Sequence, residues 1–474
     1  VTFGVLSFGV HIPRYRLPRT VIGKAWGAAA GGGERAVANF DEDAITMAVS
    51  AAEAALEGVS GGPPDALAFV SNTPPYHEKQ GSTLIAAVCG LPRTATTLDV
   101  TGSPRAGTAA LKAAYDALRA GSAQRYLVTA AEVRTGEPGS DLEQLVGDGA
   151  AAVLLGTGEV LATLEGVYSI SEEFTDVWRT ERTLLPQRGD VAFVTTYGYQ
   201  RIVRDALRGA LAHFQLEPAA IARVAVAAPD RRSYTSVLSG LGFPPGSYPD
   251  DPFLASVGDV GAVSPLLLLA WALETAAPGD LILVASYGSG NSDVLLLRAT
   301  ELIMRARERR GVSREVAQRR PLENYERFLA FRQLVAQEPL APYSSLAMLW
   351  KEQKQDLQLL ATRCRRCGAL SYPRQRICRA CRAKDEMEDV PLGRRGVVYT
   401  FTRDHLYPSP DPPTAMLVVD LEGGGRFYGQ MTDAPASLAR IGLPVELTFR
   451  RLHEGGGYAN YFWKLRPREL PTES

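Results

Sequence analysis

A chain of 474 residues exceeds what one hydrophobic core ordinarily serves, so two or three domains are expected. With 46% apolar and 22% charged residues it has the composition of a soluble globular protein. Its 51 Lys+Arg against 52 Asp+Glu leave a formal charge of −1, which argues against nucleic acid or a membrane surface as a partner. The longest apolar run, Pro265–Leu273, falls far short of the ~20 residues of a spanning helix. The first residues, VTFGVLSFGVHIPRYRLPR, lack the basic start and apolar stretch of a secretory signal. Five cysteines, four of them in a metal-binding pattern, fit a reducing cytoplasm better than a disulfide framework.

In chain order, Asp41–Glu57 has helical spacing, Ala66–Ser71 reads as a strand, Gly81–Leu91 as a helix and Thr97–Val100 as a strand. That strand enters the turn Thr101–Gly107, TGSPRAG. Gly107–Val133 then runs through an Ala/Leu-rich helix, a Gly break and a strand, and Gly261–Gly288 repeats that order. Between them Tyr199–Phe214 reads as a helix, Val224–Ala228 as a strand and Ser233–Leu241 as a helix. The alternation predicts two similar α/β halves, 1–165 and 166–300, built on parallel sheet with helices on both sides, packed as a five-layered body.

Residues 301–352 change to charged helix, interrupted by Pro339 and Pro342, and read as a solvated linker. Cys364-Arg-Arg-Cys367 and Cys378-Arg-Ala-Cys381 follow within 353–390. Two CxxC turns aim four thiolates at one point, the donor set of a closed structural zinc site, so Cys364, Cys367, Cys378 and Cys381 are assigned as zinc ligands. A redox pair is the lesser reading. Residues 391–474 consist of short strands between Gly and Pro, which suggests a small all-β barrel.

From Ser344 to Pro467, with all four cysteines, the chain resembles the zinc-ribbon plus OB-fold domain that accompanies thiolase-type enzymes. OB-folds often bind nucleic acid, but the aromatics here are not set in a clearly basic stripe. Residues 1–300 resemble 3-hydroxy-3-methylglutaryl-CoA synthase and ketoacyl synthase III, within the thiolase superfamily. The carrying motifs are SPRAGTAAL (Ser103–Leu111), GDGAAAVLLG (Gly147–Gly156), DVWR (Asp176–Arg179) and SYGSGNSDVLLL (Ser286–Leu297). The resemblance implies a five-layered thiolase-like fold, acyl-CoA as substrate or ligand reached through a pantetheine tunnel, and a homodimer, with a thiolase-like protein as a further partner.

It also implies what is missing. The family's nucleophilic cysteine falls on Pro104, its glutamate on Asn72, its histidine on Ala227 and its asparagine on Asp259. Ser103, one residue earlier, is a candidate nucleophile, but Ser-Pro is also what a helix start prefers. Cys89 reads as a small core residue. Tyr76 and His77 lie on the loop leaving the first-half strand, where function commonly sits, although an exposed loop histidine is the plainer account. Tyr199 matches a family tyrosine, and Asp259 puts an acid where the family has an amide, a general base if burial raises its pKa. Arg105 reads as a salt-bridged arginine or as a partner for a substrate carboxylate.

Three functions follow. The favoured one is carbon–carbon bond formation or cleavage beside a CoA thioester, of aldol, retro-aldol or Claisen type, without a cysteine acyl-enzyme; Tyr76, His77, Tyr199 and Asp259 are the acid/base candidates. The second is a non-catalytic acyl-CoA-binding or scaffolding subunit of a thiolase or synthase complex. The third is a Ser103-dependent acyltransferase.

Overall fold

The computed structural model describes residues 2–470 other than 181, 184 and 336–343. Pro339 and Pro342, expected to break the charged helix, lie outside the described residues. The chain forms two compact units: Val1–Ala38 with Asp43–Tyr325, and Asn39–Glu42 with Glu326–Ser474. The segment read as a linker is divided between them. Glu301–Glu308 and Val312–Ala317 are short helical pieces of the first unit.

The first unit is organised by one nine-stranded sheet. Its strands are β1 (Phe3–His11), β2 (Ala66–Val70), β3 (Thr96–Val100), β4 (Arg125–Val133), β5 (Asp148–Thr157), β6 (Ala162–Ser171), β7 (Arg223–Val226), β8 (Leu281–Gly288) and β9 (Asn291–Ala299). Their order across the sheet is β7-β8-β9-β6-β1-β5-β4-β2-β3. The expected parallel sheet is therefore corrected to a mixed one. β2 is parallel to β3 and β4, and β7 to β8, while β1–β5, β4–β5, β8–β9 and β6–β9 are antiparallel. Alternation of helices and strands holds for only part of each half. Gly288–Asn291 is a tight hairpin, and a hairpin makes its two strands antiparallel. The halves join where β1 meets β6 through Gly4↔Thr163 and Val5↔Ala162. A Cβ on Gly4 would collide there with the Ala162 carbonyl.

The predicted repeat appears as two helices, α2 (Ala106–Ala120) and α5 (Ser264–Thr275), which pack together inside the unit. α1 (Ala44–Leu56) covers β1, β4 and β5; α3 (Arg201–Phe214) covers β6 and β9; α4 (Arg231–Gly240) lies on the same side as α3. Strand β8 exhibits the layering residue by residue. Ile282 and Val284 join the central core with α2 and α5, and Leu281, Leu283 and Ala285 join the outer core with α3 and α4. Local chemistry sets the helix ends. Asp43 and Thr46 form a reciprocal capping box at α1, and α2 ends at Gly121 in the left-handed region.

In the second unit Leu360–Cys364 pairs with Leu370–Ser371 and Met387–Pro391, and the cysteine turns sit between these strands. Five antiparallel strands follow between Arg395 and Pro467, and a bridge from Met431 to Leu465 closes them around Val398, Leu417, Phe427, Phe449 and Trp463. Among the described residues no helix is long and apolar enough to cross a membrane.

Candidate functional site

β3 delivers the chain to the turn Gly102–Arg105, and α2 leaves it. Asn72, at the end of β2, fastens this turn. Its Oδ1 accepts from Gly102 N–H at 2.8 Å, and its Nδ2 donates to Ser103 O at 3.1 Å and to Glu132 Oε1 at 2.8 Å. Glu132 is fully buried at the end of β4 and also accepts from Asn72 N–H and the Thr73 hydroxyl. Burial pushes its carboxyl above the usual range, although Arg134 and these hydrogen bonds oppose the shift.

The Ser103 hydroxyl accepts from Arg105 N–H at 3.3 Å and thereby helps start α2. Arg105 donates to Asp293 at 2.7 Å, and Asp293, wholly buried, also accepts from Thr108 at 2.9 Å and Ser169 at 2.6 Å. This arginine is thus a salt-bridged one. The end of β8 passes so close to the turn that a Cβ on Gly288 would collide with Ser103 Oγ and Pro104 Cδ.

Pro104, Arg134, Asp176, Arg188, Tyr199, Asp230, Asp259 and Tyr287 share one cavity of about 250 Å3, whose remaining wall is mainly Leu145, Val177, Val191, Val194, Ala227 and Ala228. Tyr199 and Asp259, two of the sequence candidates, are brought together here. Ser103, Tyr76 and His77 are not among the lining residues; His77 is exposed, and the Tyr76 ring lies under Lys79. Cys89 ends the helix Gly81–Val88, likewise away from the lining.

Asp259 is held on both oxygens. One accepts from Gly261 N–H at 2.9 Å and the other pairs with Arg134 Nη1. Burial opposes the charge on Arg134, but Asp259 and Glu132 outweigh it and hold the guanidinium above its ordinary value. Tyr199 lies in the wide, π-helical turn Val194–Gln200 that leads into α3. It is 2% exposed and its hydroxyl has no hydrogen-bond partner among the described residues. Burial, and then the charge of Asp230, push this phenol well above its usual value, so it stays protonated and keeps its hydrogen to donate. The Tyr287 ring stands edge-on to it with centroids 5.8 Å apart, and burial and Asp176 push that phenol up as well.

Asp176, Asp230, Arg134 and Tyr287 carried no role in the sequence reading. Asp230 had a legible signal, since Asp-Arg-Arg-Ser is a helix N-cap pattern, and its carboxylate does accept from Ser233 N–H at 2.8 Å and the Ser233 hydroxyl at 2.7 Å. Asp176 accepts from the N–H groups of Val177 at 2.5 Å and Ser289 at 3.1 Å. Only the fold brings the latter contact, across 113 residues, into being.

In the second unit the Sγ atoms of Cys364, Cys367, Cys378 and Cys381 all lie within 4.8 Å of one another, with 3.6 Å between Cys364 and Cys381 and 3.5 Å between Cys367 and Cys378. Zn–S bonds of ~2.3 Å in a tetrahedron place sulfurs ~3.8 Å apart, so the set fits zinc. A fully sulfur-ligated ion has no open position, and its contribution there is structural.

Comparison with known proteins agrees with this geometry. Residues 352–388 match the family model described as the ChsH2 rubredoxin-like zinc ribbon domain, and residues 389–450 match the ChsH2 C-terminal OB-fold domain. The hydroxymethylglutaryl-CoA synthase of Methanopyrus kandleri is 31% identical over 332 residues, covering 68% of this chain and 95% of that protein. That of Methanosarcina barkeri is 30% identical over 322 residues, covering 65% and 92%. Among solved structures, an HMG-CoA synthase complexed with CoA superposes with a TM-score of 0.62 at 17% identity, covering 73% of this chain and 94% of that one. The 3-oxoacyl-(acyl carrier protein) synthase III of Pseudomonas aeruginosa gives 0.58 at 21% identity, covering 63% and 99%. These structures establish a thiolase-like fold.

Proposed function

Since the chain belongs to the hydroxymethylglutaryl-CoA synthase family, we propose that it processes an acyl-CoA by making or breaking a carbon–carbon bond beside the thioester, without a cysteine acyl-enzyme. The observation that carries this reading is the pairing of Pro104, which offers no nucleophile, with the buried and unpartnered hydroxyl of Tyr199 in one cavity. A Claisen condensation through an acyl-enzyme needs a thiolate; aldol chemistry needs a base and a donor to an enolate oxygen.

In the cleavage direction Asp259 takes the proton from a β-hydroxyl. The bond between the α and β carbons breaks, the β carbon leaves as a carbonyl, and the electron pair moves onto the thioester as an enolate. Tyr199 donates to that enolate oxygen, and a proton returned to the α carbon completes the shortened acyl-CoA. Addition is the reverse, and neither direction requires an oxidant or reductant. Arg134 fixes the orientation of Asp259. A neighbouring cavity of about 400 Å3 shares Leu145, Pro229 and Asp230 with the first and supplies the approach for the pantetheine arm, with exposed Arg231 at its rim as a cation for CoA phosphate.

A Ser103 acyltransferase finds no support, because the hydroxyl serves the helix start and lies outside the lining. The homodimer is part of the proposal. Strand β3 ends the sheet, its outer edge unpaired among the described residues and Leu98 exposed, a surface that a second copy can extend.

The test is a panel of β-hydroxyacyl-CoAs, with CoA products separated by chromatography and intact mass recorded. Turnover without a mass adduct, lowered about 10²–10³-fold in Tyr199→Phe, is the expected result. An acyl adduct lost in Ser103→Ala would overturn it. Binding without turnover would transfer the chain to the class of non-catalytic acyl-CoA subunits.

A further inference from the structure

Resting on the acyl-CoA reading, we infer that the acyl group this cavity accepts is a bulky hydrocarbon ring, aryl or alicyclic, carrying its oxygen atoms only near the thioester. Size is the first ground. A cavity of about 150 Å3 already admits benzene, and this one holds about 250 Å3, room for a ring and a short stem.

The second ground is the hydrogen-bond inventory. Where the wall is hydrocarbon, a polar acyl tail loses water and needs a protein partner for its oxygens. The charged groups of this cavity other than Arg188 are already engaged. Asp176 is served by Val177 and Ser289 N–H groups, Asp230 by Ser233, and Asp259 by Gly261 and Arg134. Arg188 reaches toward Asp141, 3.9 Å away and largely exposed. Tyr199 and Tyr287 supply the buried hydroxyls without hydrogen-bond geometry, and Tyr287 faces Asp176. Two donors suit the oxygens at the reacting end of an acyl chain, and Arg188 is, among the described residues, the one lining cation without a close carboxylate, so the acid-tailed alternative is tested through it.

The third ground is the wall. Pro104, Leu145, Val177, Val194 and Ala228 present hydrocarbon, and the perpendicular Tyr199 and Tyr287 rings offer the edge and face that an aromatic ring packs against.

Calorimetric titration of the full chain with phenylacetyl-CoA, cyclohexylacetyl-CoA, acetyl-CoA and glutaryl-CoA decides the matter. The ring thioesters are expected to bind at least about tenfold tighter than acetyl-CoA, and glutaryl-CoA no tighter than acetyl-CoA. Ala228→Phe, which fills the cavity, should bring the ring-to-acetyl ratio to about one, with folding verified by thermal unfolding. Val191→Trp, at a half-exposed position of the wall, is the second variant should the first not fold.

Equal affinity for ring and acetyl thioesters would overturn the inference, as would ring preference retained in the filled variants. Tightest binding of glutaryl-CoA, lost in Arg188→Met, would also overturn it by assigning the cavity to acid-tailed substrates. All of these leave the acyl-CoA reading standing. Failure to bind any of the four thioesters would overturn both.

Discussion

Two buried polar sites in this chain are built on opposite terms. In the first unit, the Tyr199 phenol is sealed from water and given no partner. In the second unit Arg450, 1% exposed, is surrounded. It lies 2.7 Å from Glu42 and 3.4 Å from Asp41, pairs with Asp433, and donates to Thr448 at 3.3 Å. Around it Lys464 meets Asp41 at 2.8 Å, Arg466 meets Glu446 at 2.8 Å, and Thr432 donates to Asp41 at 2.9 Å. Burial opposes the charge on Arg450, and Asp433, Glu42 and Asp41 more than restore it. A saturated cluster holds a shape and asks for nothing further. An unsatisfied phenol costs about 1–3 kcal/mol and is retained where something else completes it. The difference separates architecture from a place of binding.

The strongest challenge to that contrast is metal removal, because the second unit is self-sufficient only once its four thiolates are neutralised. Chelation, or Cys378→Ser, should remove folding free energy on the order of 10 kcal/mol. Limited proteolysis should then open the segment Leu360–Pro391, and metal analysis of the untreated chain should return about one zinc. Next in size, Arg450→Met should destabilise the second unit by about 3–5 kcal/mol in denaturant titration, since it strands buried carboxylates. An unchanged midpoint would mean the cluster is not structural.

Tyr199→Phe reverses the logic. Turnover should fall by about 10²–10³-fold, as for loss of one oxyanion donor, while stability holds or rises because an unpartnered hydroxyl is gone. Its pH behaviour sharpens the point. Ionisation would abolish the donor, and burial with Asp230 holds this phenol above its ordinary value of 10.0, so no loss of rate from its ionisation should appear as pH rises to 9. The wild-type to Phe ratio should be flat over that range. The smallest effect belongs to Ser103→Ala, about 0.5–1 kcal/mol for the one hydrogen bond lost before α2, with turnover unchanged.

The zinc ligands were legible because CxxC turns bring donors together locally. The body was legible because Gly107–Val133 and Gly261–Gly288 repeat one helix-and-strand order. Strand direction was not, since hydrophobic alternation is the same for parallel and antiparallel neighbours. Tyr199 and Asp259 were singled out from motif position and do share the cavity, whereas Ser103, Tyr76 and His77 do not line it. The engagement of Asp259 by Arg134 spans 125 residues, and that of Asp41 by Arg450 spans 409. No local pattern encodes contacts of such reach. In sequence, Asp41 and Glu42 of the segment Asn39–Glu42 read as the start of the helical segment Asp41–Glu57, whereas the helix begins at Ala44.

That four-residue segment has a consequence for anyone wishing to take the molecule apart. The second unit is discontinuous: Asn39–Glu42 is supplied from near the amino terminus, and the rest begins at Glu326. Division of the gene at the 325/326 boundary does not yield two interchangeable modules. The carboxy-terminal fragment would leave Arg450 and Lys464 without Asp41 and Glu42, and the amino-terminal fragment would carry those acids with no cation of the cluster to meet. Swapping this unit between relatives therefore requires transplanting both pieces, and selection on either end of the polypeptide is answerable to the other.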